Sequence, residues 1–365
     1  MTKVKEQTSA SLFGQKHSNR DYSKEKFWGK NQFNSSFPAS LVAYMSSKNI
    51  DAVYLCTDNN NKVVHKTICG TDILGIDPLS DDAYYKFESG FFPYEKFYSI
   101  DTEDGKKENI DLVMYDRKKD IPLRGLEIKL TALPDNTTAR RNDDEYSCEI
   151  VVRPPTICFL ACSICRHYSS SESKEKLRRM LLTIPKINHW EDISDVAPHY
   201  AAIRDAILNV AKDMADDQTP LILQPVWKTE GKTAQLAENC LDVFVWSNLA
   251  TIQMCRVDDD AISNVTITRF QRAIIWIYLM LLEYTNYGKF DYVQIIKQHS
   301  YGTANDKAFS LPGQKSFQFL KCEELTRPRI KKGEIKNIIL GGGQNFLSPE
   351  RRFDAVIVNS PNLFN

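Results

Sequence analysis

The segment RGLEIKLTAL, residues 124–133, restricts the fold more than any other stretch, because its apolar and polar side chains alternate over most of its length. An extended strand sends successive side chains to opposite faces, so Leu126, Ile128 and Leu130 share one face while Glu127, Lys129 and Thr131 share the other. Charge and apolar packing are thereby expected on opposite sides of a sheet. Just upstream, IDLVMY (110–115) reads as a second strand, and the polar DRKKDIP between the two has the length of a turn. A connection that short brings the chain back beside itself and carries Asp111 of the first strand towards Glu127 of the second.

The remaining chain alternates between helical and extended patterns. FPASLVAYMSSKN reads as a short helix, with Pro38 tolerated near its first turn. DAVYLCTDNNNKVVHKTI reads as strand, polar turn and strand, and is assigned to the outer part of the fold. The acidic and aromatic DPLSDDAYYKFESGFFPYEKF is taken as a separator before the strand bearing Asp111. Pro154-Pro155 marks an element boundary, after which TICFLACSICRHY has the pattern of a buried helix. SKEKLRRMLLTI, VAPHYAAIRDAILNVAKDMAD and FQRAIIWIYLMLLEYTNYG are further helices, the last substantially buried. PLILQPVWKT reads as a buried strand and LDVFVWS as a shorter one. This mixture, without an internal repeat, points to a mixed α/β core rather than a helical bundle or a β-sandwich. No low-complexity linker divides the 365 residues, so residues 1–365 are expected to form one domain, with 1–30 as a polar N-terminal arm.

Composition narrows the functional classes. The N-terminus lacks the apolar run of a signal peptide, and AIIWIYLMLLEY is too short to span a bilayer, which points to a cytoplasmic chain with no membrane partner. Nine cysteines lack the spacing of a disulfide scaffold. The formal net charge is zero, but the first thirty residues carry seven Lys and Arg against three Asp and Glu, and 321–352 carries eight against four. Local positive charge of this kind suits a phosphate backbone, although each segment alone also suits a solvated surface. Cys158, Cys162 and Cys165, followed by His167, invite a zinc reading, but no second well-spaced pair completes it, and a buried cysteine-bearing helix accounts for the pattern.

Asp111 and Glu127 are a pair of hard oxygen donors of the kind magnesium prefers, and magnesium retains water that can attack a phosphodiester. Lys129 is two residues beyond Glu127 on the same strand face. There its ammonium group can orient the water and counter the charge that develops on the phosphate. NIDLVMYD followed by GLEIKLTALPD resembles the split acidic motif of the PD-(D/E)xK nuclease superfamily, with Asp111, Glu127 and Lys129 matching its two acids and its lysine. Ile110 stands where that motif has proline. The longer block EIKLTALPDNTT, together with PLILQPVWKT and SPERRFDAVIVNS, is similar to type II restriction endonucleases of the HindVP-like family.

The resemblance implies a restriction-endonuclease-like α/β fold, a mixed central sheet flanked by helices, with Asp111, Glu127 and the carbonyl of Ile128 on Mg2+. It further implies cleavage of both strands of double-stranded DNA by a homodimer at a palindrome of the form GRCGYC, and a DNA methyltransferase as functional counterpart. Glu88 and Glu95 are candidates for a further acidic group near the metal. Arg140, Arg141, Gln224, Lys228, Arg327 and Arg329 are candidate DNA contacts, since Arg and Lys meet phosphate or guanine and Gln can read adenine. For Gln224 and Lys228 the expectation is a strand end facing DNA. The other class open to the same residues is a catalytically inactive, sequence-specific DNA-binding protein on a nuclease scaffold, which metal-dependent product formation distinguishes.

Overall fold

The structure, a computed structural model, describes residues 36–60, 63–99, 107–128, 153–214, 219–226, 229–230, 233–234, 239–246, 248–257, 267–302 and 330–331. The helix α1 (Ser36–Ser47) leads into β1 (Ala52–Thr57) and β2 (Val63–Ile68), an antiparallel hairpin in which Ala52 faces Ile68 and Thr57 faces Val63. The short α2 (Gly70–Leu74) ends at Gly75, whose φ of 80° is open to glycine at little steric cost. Next come β3 (Ala83–Ser89), the single-turn α3 (Phe92–Glu95) and β4 (Tyr98–Ser99). The pair β5 (Ile110–Asp116) and β6 (Ile121–Ile128) follows.

The middle of the chain is helical, with α4 (Pro154–His167), α5 (Ser171–Leu181), α6 (Ile193–Val196) and α7 (Tyr200–Asp213). Pro154 and Pro155 occupy the first turn of α4, where the missing N–H groups would have had no partner within the helix. The chain re-enters the sheet through β7 (Ile222–Val226), passes the small ribbon β8 (Thr229–Glu230) and β9 (Thr233–Ala234), and returns along β10 (Asn239–Trp246). The last described elements are α8 (Leu249–Val257), α9 (Arg269–Tyr287), β11 (Phe290–Asp291), α10 (Tyr292–Gln298) and β12 (Ile330–Lys331). Among the described residues no helix is long and apolar enough to cross a membrane.

The main sheet has the order β2-β1-β10-β7-β6-β5-β3, with β12 also paired to β10. It is mixed: β1 runs parallel to β10 and β6 parallel to β7, while β7 opposes β10, and β5 opposes both β6 and β3. Helices cover both faces. Val53, Leu55, Val113 and Ile222 pack into a large core with α4, α5, α7, α8, α9 and α10. Ala52, Tyr54, Leu112, Met114, Leu126, Ile128 and Leu223 pack into a second core with α1 and α2. The split follows the two-residue period of each strand, so one sequence pattern feeds both cores.

Three sequence expectations change. The 51–68 hairpin is only half peripheral: β2 is an edge strand, whereas β1 is buried along its whole length, because AVYLCT is apolar on both faces and needs cover on each. The run read as a separator holds β3, which pairs with β5 at the opposite edge and leaves Tyr84 41% exposed. LDVFVWS belongs to an eight-residue strand, one of the longest described, which lies between β1 and β7 and also pairs with β12. The expected helix–strand order and the mixed α/β class stand.

Candidate active site

The β5–β6 hairpin holds the two acids together. Leu112 faces Leu126 and Val113 faces Gly125, so the next residues along the ladder are Asp111 and Glu127. The hairpin turn is fixed locally. The Asp116 carboxylate accepts the Lys119 backbone N–H at 3.1 Å and pairs with its ammonium group at 3.2 Å, and Asp120 takes the left-handed conformation that Asp tolerates. Those contacts, the Lys119 N–H bond foremost, hold the Asp116 carboxyl below its usual range.

At the far end of the hairpin Asp111 Oδ2 accepts the backbone N–H of Ile128 at 2.7 Å. A carboxylate of β5 thus takes over a backbone pairing role beside the residue that follows Glu127. The N–H of Glu127 turns the other way and donates to the carbonyl of Leu221 at 3.0 Å, just before β7. Glu127 is 7% exposed, and its Oε1 accepts a hydrogen bond from the Thr156 hydroxyl of α4 at 3.4 Å. Glu127 therefore lies under α4. Leu126 and Ile128 face the second core, as alternation requires, but the Glu127 face is covered by a helix rather than open to water.

Gly125 shares the sheet face of Glu127 and has a steric reason to be glycine. A Cβ there would lie 2.8 and 2.9 Å from two atoms of the Phe91 ring. Phe91 meets Tyr94 edge to face at 4.8 Å, and Tyr94 stacks on Phe159 of α4 at 6.3 Å. This aromatic layer spaces α4 from β6 and sets the height at which Thr156 meets Glu127. Gly125→Ala is expected to destabilise the protein by roughly 1–3 kcal/mol, because the ring has packed neighbours behind it. A urea unfolding midpoint equal to the parent's would show that the layer yields without strain.

The other candidates separate clearly. Lys129, Arg140, Arg141, Lys228, Arg327 and Arg329 lie outside the described residues. Gln224 is not at a strand end: it sits within β7 opposite Phe244 of β10, and Pro225 continues the ladder opposite Val243. Proline gives up only an N–H and its φ suits extended backbone, so it did not stop the strand. Glu88 falls on β3 between the Phe87–Leu112 and Ser89–Ile110 pairs, alongside Asp111 by position. Glu95 is met by Lys107 at 3.6 Å. Among the described residues no three His, Cys, Asp or Glu side chains gather as a metal-holding group, so Glu95 does not join Asp111 and Glu127. Cys158, Cys162 and Cys165 are free thiols buried in α4, and burial pushes all three up from the ordinary thiol range. The helical packing explanation of that motif holds. Thr156 was not legible as a site residue, since a threonine in the first turn of an apolar helix carries no local signal for a partner across the core.

A mixed sheet covered on both faces by helices, with acids from two adjacent strands brought to one end of a hairpin, is the architecture of the restriction-endonuclease-like class. The chain belongs to the HindVP restriction endonuclease family, whose model matches residues 28–364. It is similar to the type II restriction enzyme HgiDI of Herpetosiphon aurantiacus, with 38% identity over 356 residues that cover 97% of this chain and 96% of that one. It is also similar to the probable type II restriction enzyme HindVP of Haemophilus influenzae, with 40% identity over 356 residues covering 97% and 94%. No solved structure matches the chain. Family membership makes the chain a nuclease-type hydrolase with DNA as its partner.

Proposed function

We propose that this protein is a magnesium-dependent type II restriction endonuclease of the PD-(D/E)xK kind, cleaving both strands of palindromic DNA. The observation that carries the reading is the bond from the Ile128 N–H to Asp111 Oδ2. In extended backbone the N–H and C=O of one residue project to the same side, so the Ile128 carbonyl belongs on the Asp111 side of β6. Two carboxylates and a carbonyl make an all-oxygen set, which fits Mg2+ and leaves its remaining positions to water and phosphate. Asp111, Glu127 and the Ile128 carbonyl would hold the ion, and when bound it supplies Lewis acidity and a water of lowered pKa.

The protein's own groups do the rest. Burial of Glu127 under α4 holds its carboxylate in one place. Lys129, two residues beyond Glu127 in the sequence, is assigned to hold its ammonium group beside the attacking water. Water oxygen adds to phosphorus and one P–O ester bond breaks; the water gives up its proton to solvent and the departing ester oxygen takes one up from solvent, while the lysine charge offsets the negative charge that grows in between. The full chain is taken as one domain, and the polar arm expected at residues 1–30 lies outside the described residues. Arg140, Arg141, Gln224, Lys228, Arg327 and Arg329 remain the DNA-contact candidates. The resemblance of EIKLTALPDNTT, PLILQPVWKT and SPERRFDAVIVNS to HindVP-like type II restriction endonucleases supports a GRCGYC target, a cytoplasmic homodimer matching the two-fold symmetry of the site, and a DNA methyltransferase that protects host sites.

Purified protein incubated with Mg2+ and unmethylated DNA of many sequence contexts tests this. Sequencing both strands at every new end is expected to give paired ends within GRCGYC that vanish on chelation. Paired ends at another palindrome would replace the target and keep the nuclease. DNA retention with no ends would leave a DNA-binding protein on a nuclease scaffold. Mass measurement of the complex decides stoichiometry, and one protomer cutting both strands would reject the dimer.

A further inference from the structure

We infer that Thr156 is a positioning residue for the metal site, setting the orientation of the Glu127 carboxylate through its hydroxyl; this rests on the reading of Glu127 as a metal ligand. Thr156 is 1% exposed and lies in the first turn of α4, and its Oγ1 is 3.4 Å from Glu127 Oε1. A buried hydroxyl that donates to a carboxylate is costly to leave unmatched, so the pair constrains both side chains. The hydrogen bond to Oε1 restricts rotation of the carboxylate and so sets how it faces a cation between β5 and β6.

The location of Thr156 makes this more than a local contact. Its helix is joined to β6 on one side and, through α5, α6 and α7, leads to β7 on the other, and β7 is the parallel neighbour of β6 at Glu127 and Ile222. The helical crossover leads to the strand beside the one it left, and Thr156 in the first turn of α4 meets Glu127 near the end of β6. The N-terminal end of α4 also presents its positive dipole end to the Glu127 carboxylate. The hydroxyl fixes direction, whereas the dipole favours the charge without selecting an oxygen. Partners of this kind behind a metal-ligating carboxylate typically contribute about 10–100-fold to metal affinity or activity.

The test uses full-length protein and Mn2+ as the probe, since Mn2+ accepts the same oxygen ligands as Mg2+. Thr156→Val keeps the shape and removes the hydroxyl, Thr156→Ala removes it with less bulk, and Thr156→Ser retains it. Calorimetric titration in the absence of DNA is expected to show Mn2+ binding weakened at least about tenfold in T156V and T156A and restored within about threefold in T156S. Cleavage should need correspondingly more Mg2+ for half-maximal rate, with the maximal rate at saturating Mg2+ much less affected. Mn2+ binding by T156V or T156A equal to the parent, alongside a Glu127→Ala variant that fails to bind, overturns the role of Thr156 alone. Unchanged Mn2+ binding in Glu127→Ala overturns the metal reading and Thr156 with it. A T156S variant as weak as T156A shows a packing role, because the hydroxyl is then present without effect.

Discussion

Replacing Asp111 with Asn is expected to lower DNA cleavage at saturating Mg2+ by about 10^3-fold, equivalent to several kcal/mol of lost transition-state stabilisation. The substitution is chosen because it separates charge from shape. The amide oxygen of Asn can still accept the Ile128 N–H that Asp111 Oδ2 accepts at 2.7 Å, so the end of the β5–β6 hairpin keeps its closure. What disappears is the negative charge that competes with water for the cation. Thermal unfolding in a chelating buffer should therefore stay close to that of the parent while cleavage collapses. Single-turnover cleavage of a mapped DNA site measures the chemical step directly. A rate within tenfold of the parent would mean that Asp111 serves only the hairpin.

Lys129→Ala is expected to reduce the same single-turnover rate by roughly 10^2–10^4-fold, the range for a group that handles protons or charge in the transition state. DNA retention in chelator should change little, because that contribution is absent from the ground state. Lys129→Arg refines the assignment. Arginine keeps the positive charge but does not release its proton at accessible pH. Recovery by arginine assigns Lys129 to charge compensation, and continued loss assigns it to proton handling. Equal losses of DNA affinity and cleavage in the alanine variant would make the residue a binding contact instead.

Residues near in sequence carried most of what could be read before the fold was known. The alternation in 110–115 and 124–128 required two strands, and the short polar link required that they pair, which put Asp111 beside Glu127. Pro154-Pro155 marked the start of α4. The end signals of α9 were also local: Thr268 and Gln271 form a reciprocal cap at its start, and Gly288 ends it in the left-handed conformation. Each of these depends on interactions within a few residues, which a sequence pattern records.

Position within the sheet is set by partners far along the chain, and local patterns do not encode it. That β1 lies beside β10, that β3 closes the sheet next to β5, and that Gln224 is interior to β7 all follow from nonlocal pairing. So does the covered state of Glu127. Alternation put Glu127 on the face opposite Leu126, but only the packing of α4 through Phe91, Tyr94 and Phe159 decided that this face is buried and that Thr156 meets it. The sequence by itself determined which residue types share a strand face, because that depends on backbone period alone. Tertiary structure decided what stands over that face, because burial and hydrogen bonding across a core depend on elements whose relative placement only the whole chain's packing fixes.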